Sequence, residues 1–168
     1  MTDNRVDPPF IADEASTLHS FLDWHRETLA VKCEGLSEEQ LRLRPSTPST
    51  LSLLGLVRHL SEVERHWFRN ILNGEGVQAL YWTDDNPDGD FDDIADASAD
   101  EAFARWRAEI ENARELSAGL SLDTVGKSLR RGEEVSLRWI LVHMIEEYAR
   151  HNGHADIIRQ QIDGVTGE

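Results

Sequence analysis

Apolar positions recur at steps of three and four residues in four stretches of the chain, each closed by polar, Gly- or Pro-containing segments, the spacing an amphipathic helix requires. Across residues 13–34, Ala15, Leu18, Leu22, His25 and Leu29 share one stripe and Gly35 supplies a stop, which predicts a first helix. Ser37 with Gln40 has the form of a capping box for a short turn, followed by a Pro/Ser/Thr linker over 44–49. A second helix is predicted from Thr50 as N-cap through Leu53, Leu56, Leu60, Val63 and Trp67 to a stop at Asn73 and Gly74. Ser98 with Glu101 opens a third, carrying Phe103, Trp106, Ile110, Ala113 and Leu116 inward as far as Gly119. The fourth begins near Ser136; Leu137, Leu141, Met144, Tyr148, His151, Ala155, Ile158 and Ile162 alternate four- and three-residue steps.

The expected fold is therefore all-α, a four-helix bundle. The 27 residues 75–101 hold ten Asp or Glu and neither Lys nor Arg, so they read as a long solvated loop crossing between helices two and three. Residues 1–12 read as a flexible N-terminal extension and 13–168 as a single domain.

Charge narrows the partners. Against 17 Lys and Arg stand 32 Asp and Glu, a formal charge of −15 that repels phosphate backbones and anionic lipid, so neither nucleic acid nor a membrane is expected as a partner. No apolar run approaches the roughly 20 residues a bilayer span needs. The first nine residues lack the apolar core of a secretory signal, and the lone Cys33 forms no internal disulfide, so a cytoplasmic location is expected. Trp24 and Trp139, at helix edges, leave room for a homodimer.

The helix-four stripe also carries chemistry. His143, Glu147 and His151 stand at successive four-residue steps, and His59 lies on the edge of the helix-two stripe between Leu56 and Val63. Desolvating imidazoles and a carboxylate is costly unless each finds a partner, and a divalent cation partners all at once. His59, Glu147 and His151 would bind zinc, nickel or ferrous iron and leave a coordination position open. The spacing equally fits hydrogen-bonded core histidines beside a solvated Glu147. His143 is an alternative ligand and His154 a candidate to orient one; His25, and His66 with Glu62, are weaker options. Asp84, Asn86, Asp88, Gly89, Asp90 and Asp92 follow the opening of a calcium loop, but Ala95 occupies the closing position, so a solvated acidic loop is expected instead. Cys33 reads as a structural thiol.

The run 52–60 (SLLGLVRHL), continuing through Glu64, Arg65, His66, Trp67 and Phe68, together with 143–154 (HMIEEYARHNGH), resembles the DinB-like superfamily over about residues 13–162. That superfamily includes metalloenzymes of the YfiT type, the mycothiol-dependent maleylpyruvate isomerase domain and low-molecular-weight-thiol S-transferases. The resemblance implies an up-down-down-up bundle with a divalent metal, zinc foremost, held by His59, Glu147 and His151, the last two as the Glu-x-x-x-His variant. Where many relatives continue Arg-Gly-Gln, this chain has Asn152, Gly153 and His154. It further implies a metal-dependent transferase in which a small-molecule thiol of the mycothiol kind, activated as thiolate at the metal, attacks a small electrophile. The alternatives are a hydrolase using metal-bound water and a non-catalytic, stress-associated binding protein. His25, Tyr81 and Trp82 are expected to line the substrate pocket, with the acidic loop as its lid.

Overall fold

A computed structural model describes residues 5–166. The described chain is all-helical: α1 (Glu14–Cys33), α2 (Glu38–Arg42), α3 (Leu53–Glu64, continuing as a π-helix over Arg65–Leu72), α4 (Gly89–Asp92), α5 (Ala99–Ser117) and α6 (Leu137–Asp163). No strand forms among the described residues; only isolated bridges such as Val125 with Ser136 occur. The predicted N-terminal extension lies in part, residues 1–4, outside the described residues; Arg5, within them, lies over the Trp24 ring at 5.1 Å.

Local chemistry sets the helix ends. Asp13, Ser98 and Ser136 accept the first free amides of α1, α5 and α6, and Ser37 with Gln40 forms a reciprocal capping box on α2. The N-cap of α3 is Ser52 rather than Thr50: its hydroxyl accepts from Gly55 N at 3.0 Å, and the two residues before it remain extended. The carbonyls ending α1 are taken by a side chain from another helix, since Arg159 Nη1 donates to Lys32 O at 3.0 Å and Glu34 O at 2.9 Å.

The long helices share one core. α1 packs along α6, α3 along α5, and α3 also touches α6, so the two pairs close on each other. Leu22, Leu29, Leu56, Leu60, Trp106, Ile110, Leu141 and Met144 are fully buried there, the stripe positions the periodicity selects. Inside this apolar interior lies a polar chain that the pattern did not announce. Arg26 donates from Nε and Nη2 to Glu64 at 2.7 Å, Tyr148 Oη donates to the same carboxylate at 2.8 Å, and Trp106 Nε1 donates to Tyr148 Oη at 2.8 Å. With Arg26, Glu64 and Tyr148 all buried, each member depends on the others for satisfaction.

Two features shape one end of the helical core. After Glu64 the backbone widens into π turns, seen in the bond from Asn73 N to Phe68 O at 3.1 Å, and this re-aims His66, Trp67 and Asn70 relative to a continuous α-helix. The last carbonyls of the π-helix are capped by the α5–α6 connection, Lys127 N bonding Leu72 O and Ser128 N bonding Ile71 O, both at 3.1 Å.

The acidic segment keeps its carboxylates exposed, as expected, with the exception of Asp90. It connects the second and third long helices, but its backbone is docked: Gly89, Asp90 and Ile94 are buried and α4 packs against α3. Arg58 supplies the anchor, donating to Gly89 O at 2.9 Å and Asp90 O at 3.0 Å while its guanidinium lies 4.0 Å over the Tyr81 ring. Phe91 stacks on His59 at 4.8 Å, whereas Trp82 is left exposed. The segment packs through its backbone and apolar residues, because helix-borne arginines take its carbonyls, while every carboxylate in it but Asp90 stays exposed.

Candidate metal centre and thiol pocket

Helix α6 places Glu147 and His151 one turn apart, and α3 brings His59 against them, so that a sequence separation of nearly ninety residues closes to contact. His59 and His151 ring centroids are 4.8 Å apart at 62°. Glu147 Oε2 is 3.4 Å from His151 Nε2, and one ligand atom from each of His59, Glu147 and His151 lies within 4.8 Å of the others. A tetrahedral ion with bonds near 2.1 Å sets its ligands roughly 3.4 Å apart. One edge already has that length, and side-chain rotations bring the others in. The donor set of two imidazoles and a carboxylate suits a borderline cation with an open position.

The imidazoles are held by partners on their other sides. His59 Nδ1 is 2.8 Å from Asp90 Oδ2, and Asp90, 4 % exposed, also accepts from Phe91 N at 3.0 Å. This bond fixes the His59 tautomer, with hydrogen on Nδ1 and the Nε2 lone pair free. His151 Nδ1 lies 3.4 Å from His154 Nδ1, within reach of a hydrogen bond between the two rings. A hydrogen bond from His151, together with the nearby imidazoles, holds the Glu147 carboxyl below the usual carboxylate range in spite of its partial burial.

His143 stands beside this group. Its Nε2 is 3.4 Å from Glu147 Oε1, and with Glu146 and Glu147 it makes a second cluster able to hold a metal ion. That cluster is the more exposed of the two, and Glu146 is engaged by Arg150. The His143 ring is stacked on Trp139 at 5.0 Å and meets Trp67 edge-on at 4.7 Å; burial lowers its pKa.

A cavity of about 1040 Å³ opens over His59, His143 and Glu147, walled by Trp67, Trp82 and Trp139. Its chain sources are the π-helix, the acidic segment and the α5–α6 connection. Of the residues expected to line it, Trp82 does. Tyr81 does not, because its ring is covered by Arg58. His25 lies instead on a separate hollow of about 470 Å³ between α1 and α6, where Asn152 Nδ2 donates to its carbonyl at 3.0 Å. His66 and Glu62 do reach the main cavity, but Glu62 is occupied with the Leu80 and Tyr81 amides, both at 2.6 Å, and burial pushes its carboxyl up. Cys33 is buried, and desolvation pushes its thiol up to about 12 against the opposing charge of Arg159, as a structural cysteine requires.

A family model described as mycothiol-S-transferase matches residues 17–164. The chain belongs to the mycothiol-S-transferase family. That family is part of the DinB-like superfamily, in agreement with the resemblance read from 52–68 and 143–154. Among curated proteins none matches the chain. Membership supports a thiol-transferase function and implies a small-molecule thiol as substrate. No helix of the described residues is long and apolar enough to cross a membrane.

Sequence reasoning missed Asp90 and the pocket arginines. Asp90 was hidden in a run of eight aspartates, although Phe91 and Ile94, three residues apart on its heels, carried the signal of a short buried turn. Arg130 and Arg131 lie on the α5–α6 connection, which no periodicity distinguishes; the Arg-Arg-Gly turn was the available sign.

Proposed function

We propose that this chain transfers a low-molecular-weight thiol, mycothiol by its family's name, to a small electrophile, using a divalent metal held by His59, Glu147 and His151. The observation that carries the reading is the convergence of those donors within 4.8 Å of one another beneath an open, aromatic-walled cavity. In support, the protein has no nucleophilic cysteine of its own: Cys33 is buried and its thiol held protonated. The reacting sulfur then comes from the cosubstrate.

When bound, a divalent cation supplies the positive charge that favours the thiolate form of a thiol at neutral pH. The chain's own residues do the rest. Asp90 holds His59 with Nε2 directed away from α4, and Glu147, kept ionised, supplies the single negative ligand that leaves the site with net positive charge. Trp139, half exposed, offers an apolar aromatic surface to an organic electrophile, and the buried Trp67, 5.1 Å from it and edge-on to His143, backs that wall. The four long helices are read as the superfamily's up-down-down-up bundle, with the docked acidic segment as its crossing connection.

The test is turnover of monobromobimane or 1-chloro-2,4-dinitrobenzene by metal-loaded protein with mycothiol. Thiol-dependent product from the wild type, and its loss in His59→Ala at unchanged helicity, is the expected result. Ester cleavage without any thiol, or full activity in His59→Ala, would refute the reading.

A further inference from the structure

The cavity is edged by positive charge in a chain whose formal charge is −15. Arg65, Arg130 and Arg131 all line it. Arg65 is engaged by Glu109 and by Gln78 O. Arg130 and Arg131 form no ion pair with any described carboxylate, although acidic residues outnumber basic ones almost two to one. The carboxylates that share the cavity do not answer them either. Glu62 is bonded to backbone amides, Asp90 to His59 and Glu147 to the histidines, while Asp88 is exposed on the side of α4.

The backbone at Arg131 adopts its conformation at a cost. Arg130 and Glu133 pair through both backbone bonds, at 2.9 and 3.1 Å, and the turn between them puts Arg131 at φ 53° and Gly132 at φ 85°. Two consecutive positive φ values define a tight hairpin turn in which Asn or Gly ordinarily precedes Gly. Arg131 is the only described non-Gly residue with positive φ. An arginine there trades turn stability for a cation at that place. The hairpin is fixed to the pocket wall, because Gly126 N donates to Val135 O at 2.8 Å and 127–128 cap the π-helix. Gly126 passes so close to Ile71 O that a Cβ would sit 2.6 Å away. Arg130 lies 5.7 Å over the Trp67 ring, and Trp67 is 4.7 Å from His143, itself beside Glu147; the charge also helps depress the His66 and His143 pKa values.

We infer that Arg130 and Arg131 form an anion-recognition site for the electrophile, so that the preferred second substrate is a planar, apolar molecule bearing a carboxylate. The inference rests on thiol transfer as the function and specifies its substrate class. The ring would lie against the half-exposed Trp139 while the carboxylate meets the guanidinium groups, placing the electrophilic carbon toward the histidine-lined floor. With a chlorinated dinitrobenzoate as the electrophile, the thiol sulfur bonds to the ring carbon that bears chlorine, the carbon–chlorine bond breaks, chloride leaves with its electron pair, and the thiol proton passes to solvent.

Binding tests the site without turnover. Quenching of tryptophan fluorescence is titrated with 3,5-dinitrobenzoate and 3,5-dinitrobenzamide, rings that lack a leaving group. Wild-type protein is expected to bind the carboxylate at least about tenfold more tightly at low salt, Arg130→Gln/Arg131→Gln to lose that preference, and Arg130→Lys/Arg131→Lys to regain part of it. A smaller preference in the wild type, or one retained by the glutamine variant, overturns the site. Turnover is then compared for 4-chloro-3,5-dinitrobenzoate and its amide with mycothiol, the ratio of kcat/KM being expected to favour the carboxylate in the wild type and to collapse in the glutamine variant. Carboxylate-selective binding without thiol-dependent turnover of either ring overturns the transferase reading and not the anion site.

Discussion

Asp90→Asn removes one charge from behind His59 with almost no change in shape. In the wild type the Asp90 carboxylate, buried beneath α3, accepts from His59 Nδ1 at 2.8 Å and so leaves the Nε2 lone pair free for a metal ion. Asparagine can still accept this hydrogen bond, but with a neutral oxygen, and it can equally present its amide and favour the wrong tautomer. Loss of such a partner behind a metal-bound imidazole costs about 10- to 100-fold in metal affinity, or about 1.4 to 2.8 kcal/mol. The His59 side chain is 25 % exposed, so water partly replaces the lost interaction and the lower half of that range is expected. The assay is competition for zinc against a chromogenic chelator at neutral pH, with His59→Ala and the double variant alongside. If Asp90 acts through His59, then Asp90→Asn weakens binding about tenfold in the wild-type background and has little further effect once His59 is alanine. Unchanged affinity in Asp90→Asn, or full additivity in the double variant, would refute the reasoning.

Other perturbations probe the frame around the site. Tyr148→Phe deletes the hydroxyl that joins Trp106 to Glu64 and leaves both buried groups a bond short, a loss of about 1 to 3 kcal/mol read by urea unfolding; Glu64→Gln, which leaves the buried Arg26 guanidinium with only the half-exposed Asp23 carboxylate, should cost more, about 3 to 5 kcal/mol, and equal or smaller loss would count against the buried network. Gly89→Ala would set a Cβ 2.4 Å from Tyr81 O and 2.9 Å from Asn86 Nδ2, so the acidic segment should undock, seen as faster proteolysis between 80 and 95 with the helical signal retained; wild-type resistance would contradict the docking. Burial lowers the pKa of His19, His25, His66, His143 and His154 from 6.5. Below that value the unfolded chain takes up protons that the folded chain refuses, so stability falls as pH drops. Urea midpoints of chelator-treated protein should decline from about pH 7.5 to about pH 5.5; a flat or rising trend would be contrary.

How far the molecule could be read from its sequence follows from which interactions are local. The helices were legible because the stripes through Leu22, Leu60, Trp106 and Met144 obey a spacing that the backbone imposes on each element separately, and most caps lie within three residues of what they cap. Glu147 and His151 share α6 and were visible as neighbours for the same reason. His59 was legible as a polar residue on an apolar edge, but its meeting with them depended on the likeness of two motifs and not on any local rule. Asp90 against His59, Arg58 against the Gly89 and Asp90 carbonyls, and the Arg26–Glu64 pair are long-range matches, and a charge in sequence looks the same whether it faces water or a buried partner. The π-helix of Arg65–Leu72 was equally silent, since its widened turns are supported by capping from 127–128, a segment with no periodicity.

If His59, Glu147 and His151 converge on one cation, anomalous diffraction at the zinc edge from crystals of zinc-loaded protein will show it. A single strong peak is expected about 2.0 to 2.2 Å from His59 Nε2, from a Glu147 carboxylate oxygen and from His151. A peak seated on His143 and Glu146 with His59 unengaged, or no peak at all, would contradict that convergence.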